Sequence, residues 1–284
     1  MAVPRSFLNE TGDRLFITKA LQGNTLPSSN AEEIIMKNEL LHIGPLTLYG
    51  YGLMIGLGIL AAWILAGIRA KRQGRNPDQL FSMILWILLG GFAGAKLLFL
   101  LTQWKNLMQY PSLLRYYLSD GFVVFGGIIG GIAACFLFCS RKKLSFLSWF
   151  DFLMPSVALG QAFGRMGCFL AGCCYGKECH GSLSIVFHNS DYAPNGVPLI
   201  PTQLYSAFFD AALVLVLLRT DAVKKKNGET AAAYLLLYSV GRFVIEFMRG
   251  DVERGFVGFL STSQFVACFT FLTGLFMMIR LKRD

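Results

Sequence analysis

Charge is scarce in this sequence, and acidic charge is the scarcest. Only 15% of the chain is Asp, Glu, Lys or Arg, whereas soluble domains carry about a quarter, so an ordinary water-soluble domain is excluded. The 17 acidic residues face 26 basic ones, for a net charge of +9. No basic patch interleaved with aromatics accompanies that excess, so nucleic acid is not expected as a partner. CxxC pairs are missing. Cys168, Cys173, Cys174 and Cys179 are spaced by five, one and five, with His180 next. Zinc sites use other spacings, so no metal and no other cofactor is expected. The cysteines read as small packing residues, with a disulfide open on an oxidising side. An N-terminal apolar core of signal-peptide length is also missing. Residues 1–35 are mixed polar and read as a non-essential N-terminal extension, with Met36 as a natural chain start. Residues 36–284 read as a single transmembrane helical domain.

What the chain has in abundance is apolar length. It is 54% hydrophobic, with a mean hydropathy of +0.52. Apolar stretches of about 20 residues, enough to span a bilayer as helix, fall at 46–68, 79–101, 122–140, 145–164, 202–218, 230–248 and 258–279. The expected fold class is all-α, a polytopic membrane protein of about seven helices. Basic clusters follow each odd span: Arg69, Lys71, Arg72 and Arg75, then Arg141 to Lys143, then Arg219 and Lys224 to Lys226, and finally Arg280, Lys282 and Arg283. The alternate loops carry two basic residues each. That asymmetry puts the N-terminus outside and the C-terminus in the cytoplasm. The remaining positive charge suits an anionic bilayer surface.

Small residues four apart, which let helices approach closely in lipid, recur at Gly52/Gly56, Gly90/Gly94, Gly126/Gly130, Gly127/Gly131 and Gly160/Gly164. Tight packing accounts for most of them. The run GGIIGG at 126–131 is dense enough that a lipid-head cleft is a second reading for Gly126 and Gly127.

Ionisable groups inside the spans are the functional signal. Each costs about 2.5–3.5 kcal/mol near a helix centre unless paired or opened to a polar cavity. Lys96 and Asp210 read as interfacial groups that snorkel; Asp151 must be paired. Arg165, in GQAFGRMGCFLAGCCYGK (160–177), and Arg242, in YSVGRFVIEFMRG (238–250), need an anion. A lipid phosphate, which a guanidinium grips through two hydrogen bonds, is the natural one. Arg242, Glu246 and Arg249 follow helical spacing, so Glu246 is placed to hold both arginines.

These motifs, with LIPTQLY (199–205), LYGYGLM (48–54), DGFVVFGGIIGG (120–131) and DFLMP (151–155) in the same order, resemble the prolipoprotein diacylglyceryl transferase family of the bacterial inner membrane. The resemblance runs from about Tyr49 to the C-terminus. It implies transfer of a diacylglyceryl group from phosphatidylglycerol to the lipobox cysteine of a prolipoprotein, without metal or nucleotide. It also implies Arg165 and Arg242 as essential positive groups and Tyr51 as a donor to a lipid oxygen. Glu246 and Arg249 become gate or support. Gly126, Gly127, Gly176, Gln203 and Tyr205 become substrate-side residues.

Two positions depart from the family's common form. Phe125 stands where that form has histidine, and Cys168 where it has asparagine. Phenylalanine cannot move a proton, so the acceptor for the incoming thiol is expected to be a lipid phosphate oxygen, Tyr51 or another group. A divergent relative with another acceptor, and a lipid or anion transporter built on the same arginines, are the competing readings. Against the transporter, the chain shows no pair of corresponding halves.

Overall fold

The computed structural model describes residues 32–35, 39–43, 46–119, 121–251 and 255–283. Residues 1–31, Met36 and Arg254 lie outside them. Three strands, β1 (Glu32–Ile35), β2 (Glu39–Ile43) and β3 (Leu46–Tyr49), precede the helices. Seven long helices follow among the described residues, one on each predicted stretch. They are α1 (Gly50–Arg72), α2 (Pro77–Thr102), α5 (Val124–Arg141), α6 (Phe146–Ala171), α7 (Thr202–Val223), α8 (Glu229–Glu246) and α9 (Thr262–Arg283). Two short helices, α3 (Trp104–Gln109) and α4 (Leu114–Ser119), fill the α2–α5 connection.

Four of these helices, α1, α2, α5 and α9, are long and apolar enough to cross a membrane. The other three carry most of the buried polar groups, Asp151, Asp210 and Glu246 among them.

Two predicted boundaries are corrected. Residues 46–49 form β3 and pair antiparallel with β2, so the first helix starts at Gly50. Residues 256–261 form a hairpin of β6 (Phe256–Val257) and β7 (Leu260–Ser261), so the last helix starts at Thr262. Hydropathy cannot separate these apolar strands from the helices they adjoin. The supposed extension is not wholly outside the fold either: β1 pairs in parallel with β4 (Ile185–His188), which pairs with β5 (Pro198–Leu199).

The glycines explain how α2 and α5 meet. A Cβ added to Gly90 would lie 2.9 Å from the Gly130 carbonyl oxygen, and one on Gly94 would lie 2.9 Å from the Gly130 Cα. Gly126 presses on the backbone of Gly94 and on Leu98 in the same way. Backbone-to-backbone packing is what this face does. Elsewhere α1 packs on α6, α7 on α6, and α9 on α8.

One end of the molecule is held by Asp151, which is fully buried. Its carboxylate accepts from the backbone N–H of Ala231 at 2.7 Å and of Gly228 at 2.9 Å, and from Lys224 Nζ at 2.8 Å. A residue of α6 thus caps the start of α8, where an anion meets the positive end of the helix dipole. Asp151→Ala would strand two N–H groups and leave Lys224 with Asp221 alone. A loss of about 3–5 kcal/mol is expected, visible as a lower unfolding midpoint in detergent; an unchanged midpoint would refute this role.

Candidate functional site

The opposite end of α6 sets up the site. Gly172 follows its last residue in the left-handed region, φ +74°, where glycine carries no Cβ penalty. The N–H of Gly172 donates to the Phe169 carbonyl, and that of Cys173 to the Cys168 carbonyl, each at 3.1 Å. This is a Schellman turn, and it folds Cys173 back over Cys168. Cys174 turns again with φ +59°. The start of α7 grips the result: Thr202 Oγ1 donates to the Cys174 carbonyl at 2.7 Å, and Gln203 Nε2 to the Cys173 carbonyl at 2.8 Å. The sulfurs of Cys168, Cys173 and Cys174 consequently lie within 4.8 Å of one another. Spacing by five and one gave no hint of this; a glycine placed to end the helix was the available signal. Hydrogen bonds from Cys168 and Cys173 push the Cys174 thiol down from its ordinary range, against burial and with help from Arg249 and Arg165.

The segment continues as a short extended piece between two others. Gly176 N–H donates to the Ile200 carbonyl at 2.9 Å, Lys177 N–H to Met248 at 2.8 Å, and Gly250 N–H to Tyr175 at 3.0 Å. A Cβ on Gly176 would lie 2.5 Å from the Ile200 carbonyl oxygen. Gly176 therefore ties the start of α7 to the end of α8, and this contact explains the glycine. Gln203 is buried, with its Nε2 given to the cysteine loop and its Oε1 without a partner among the described residues. The side chain of Tyr205 is half-buried, and its backbone N–H bonds Pro201 within the first turn of α7.

The arginines meet next to this loop. Arg242 Nη2 lies 2.8 Å from Glu246 Oε2 and donates to Ser263 Oγ at 2.8 Å. Arg249 Nη1 reaches the same Glu246 oxygen at 3.4 Å, while its Nε donates to Asp251 at 2.8 Å and its other nitrogen also pairs with Asp251. Glu246 thus holds both arginines, as helical spacing suggests. Arg165 differs: among the described residues its guanidinium makes no hydrogen bond and no ion pair. It lies within electrostatic reach of Arg242, Asp210, Tyr238, Cys168 and Cys174. Tyr51 lies within electrostatic reach of Arg165 and the three thiols. Its ring lies over Gly167, where an added Cβ would come within 3.2 Å.

Asp210 is the residue that sequence reasoning missed. It does not snorkel: it is 1% exposed, between Arg165 and Arg242, and its Oδ2 has no hydrogen-bond partner among the described residues. It lies seven residues after Gln203, on the same helix face, and that was the signal available. Lys96 is also engaged, donating to the Tyr117 and Gly121 carbonyls at 3.0 and 2.9 Å.

A guanidinium whose donors have no partner among the described residues, backed by a second arginine on a neighbouring helix, has the chemistry to take an anion. The model of one family, prolipoprotein diacylglyceryl transferase, matches residues 38–280. The chain belongs to that family. A phosphatidylglycerol–prolipoprotein diacylglyceryl transferase of Clostridium tetani is 46% identical over 242 residues, covering 85% of this chain and 96% of the relative. A second such transferase, from Clostridium perfringens, is 44% identical over 242 residues, with 85% and 94% covered. One from Halalkalibacterium halodurans is 31% identical over 227 residues, with 78% of each chain covered. Membership of a transferase family disfavours the transporter reading.

Within this family member, Gly126 and Gly127 lie on the face of α5 that meets α2, with Gly127 3.4 Å from the Gly91 carbonyl oxygen by its added Cβ. Packing accounts for both. Phe125 is 40% exposed on the first turn of α5. If its ring serves as surface, Phe125→Tyr is expected to be nearly silent and Phe125→Ala harmful through lost packing. A rise of about tenfold or more for Phe125→His in a turnover assay would show instead that a general base is limiting.

Proposed function

We propose that this protein transfers the diacylglyceryl group of phosphatidylglycerol to the lipobox cysteine thiol of a prolipoprotein, in the inner membrane of a bacterium. The substrate thiol gives up its proton to solvent, its sulfur attacks a saturated glycerol carbon, the thioether forms, and the carbon–oxygen bond to phosphate breaks. The electron pair leaves on glycerol phosphate.

Arg165 is the observation that carries the reading, because a half-buried guanidinium without a partner among the described residues is ready for an outside anion. Negative charge grows on the phosphate oxygens as the bond breaks, and preorganised donors stabilise it without reorganisation. Arg242 adds a second donor from α8, its orientation fixed by Glu246 and Ser263. Tyr51 is placed to donate to a lipid oxygen. Arg249, bound to Asp251 and Glu246, supports the others. The test is direct. Purified protein, labelled phosphatidylglycerol and a lipobox peptide should give a thioether product. A protein that retains the lipid but makes no product would remove the transferase assignment.

All seven long helices are proposed to span the bilayer, with the arginine end outside. Reporters fused after Arg75, Lys143 and Lys226 should respond as cytoplasmic, and those after Arg115 and Lys177 as external. Two successive fusions on one side would remove a span.

A further inference from the structure

The Cys168, Cys173 and Cys174 cluster is not explained by packing alone. Three half-buried sulfurs converge within electrostatic reach of Arg165. Their convergence is built in by the Schellman turn, a left-handed Cys174 and two clamps from α7. A tetrahedral zinc ion with bonds of about 2.3 Å needs its sulfurs about 3.8 Å apart, and they already lie within 4.8 Å of one another. Among the described residues no fourth Cys, His, Asp or Glu joins the group. Cys179 bonds Pro198 through its backbone, and His180 pairs with Glu178 on the exposed surface.

Three protein ligands and one open position are the form of a catalytic zinc site, not a closed structural one. The reaction proposed above, on which this step rests, needs a nucleophilic sulfur, and Phe125 offers no base to make one.

We infer that Cys168, Cys173 and Cys174 bind a soft divalent ion of the zinc type, whose fourth position takes the sulfur of the incoming lipobox cysteine. Coordination to such an ion deprotonates a thiol outright, and the released proton passes to solvent. The metal-bound thiolate then forms the sulfur–carbon bond as the carbon–oxygen bond breaks. Its electron pair ends on the phosphate held by Arg165 and Arg242. No oxidation state changes. Three thiolates on a divalent ion leave one net negative charge, which Arg165 and Arg249 complement.

Zinc retained by the purified full chain, measured by elemental analysis, should approach about one ion per chain, and Cys168→Ser, Cys173→Ser or Cys174→Ser should lower it about tenfold or more. With cobalt as the probe in the wild-type protein, a lipobox peptide should intensify the thiolate-to-cobalt absorption band, whereas the same peptide with serine for its cysteine should not. Chelation should cut the transferase rate about a hundredfold, and added zinc should restore it. Full activity in metal-free protein overturns the inference and leaves the transferase reading standing. A disulfide within the trio of the active protein, or a cobalt band indifferent to the peptide thiol, overturns it as well. A zinc-loaded protein that answers the peptide yet makes no thioether would instead keep the metal site and remove the transferase reading.

Discussion

Arg165→Lys is expected to lower the transferase rate by about two to three orders of magnitude, a loss of about 2–4 kcal/mol of transition-state stabilisation. Lysine keeps the charge but loses the planar fork that can hold two phosphate oxygens at once. The effect should fall on kcat more than on KM, because the contact strengthens as the leaving phosphate gains charge. Arg242→Lys should cost a similar amount, with a contribution from lost bonds to Glu246 and Ser263. Both residues serve one leaving group, so the double variant should be less damaging than the product of the singles. Per-molecule rates in protein of verified concentration decide the matter. If each variant lowers only the amount of folded protein and leaves kcat intact, the arginines are structural.

The seven helices were legible because membrane-length apolar runs leave few alternatives. Their boundaries at Gly50 and Thr262 were not. LTLY and the FV and LS pairs are as apolar as the helices beside them, and only strand pairing separates the two. Glu246 between two arginines followed from spacing on one helix, which sequence shows directly. Asp210 and the cysteine trio did not, since each depends on contacts between elements. Asp210 faces arginines on α6 and α8, and the trio exists through a turn at Gly172 clamped by residues from α7. Gly126 and Gly176 show the converse. A motif match singles out a glycine, but only the backbone opposite it shows that close packing is the reason.

Glu246→Gln is expected to lower kcat about a hundredfold while leaving KM for phosphatidylglycerol unchanged or lower. Glu246 is 2% exposed, and its Oε2 holds Arg242 at 2.8 Å and Arg249 at 3.4 Å. Glutamine preserves the volume and one hydrogen bond but removes the charge that offsets these two arginines. Arg249 keeps its two contacts to Asp251 and should stay anchored. Arg242 keeps Ser263 and a neutral hydrogen bond in place of its ion pair, so its guanidinium is held less firmly in the orientation that the departing phosphate needs. Lipid affinity need not fall, because the site has become more positive. Stability should also drop by about 3–5 kcal/mol, since one member of a buried charge cluster has been removed. The two effects separate in protein selected for correct folding. There, Glu246→Gln combined with Arg242→Lys should be little worse than either alone. Fully additive losses would mean that Glu246 acts on the reaction by a route other than Arg242.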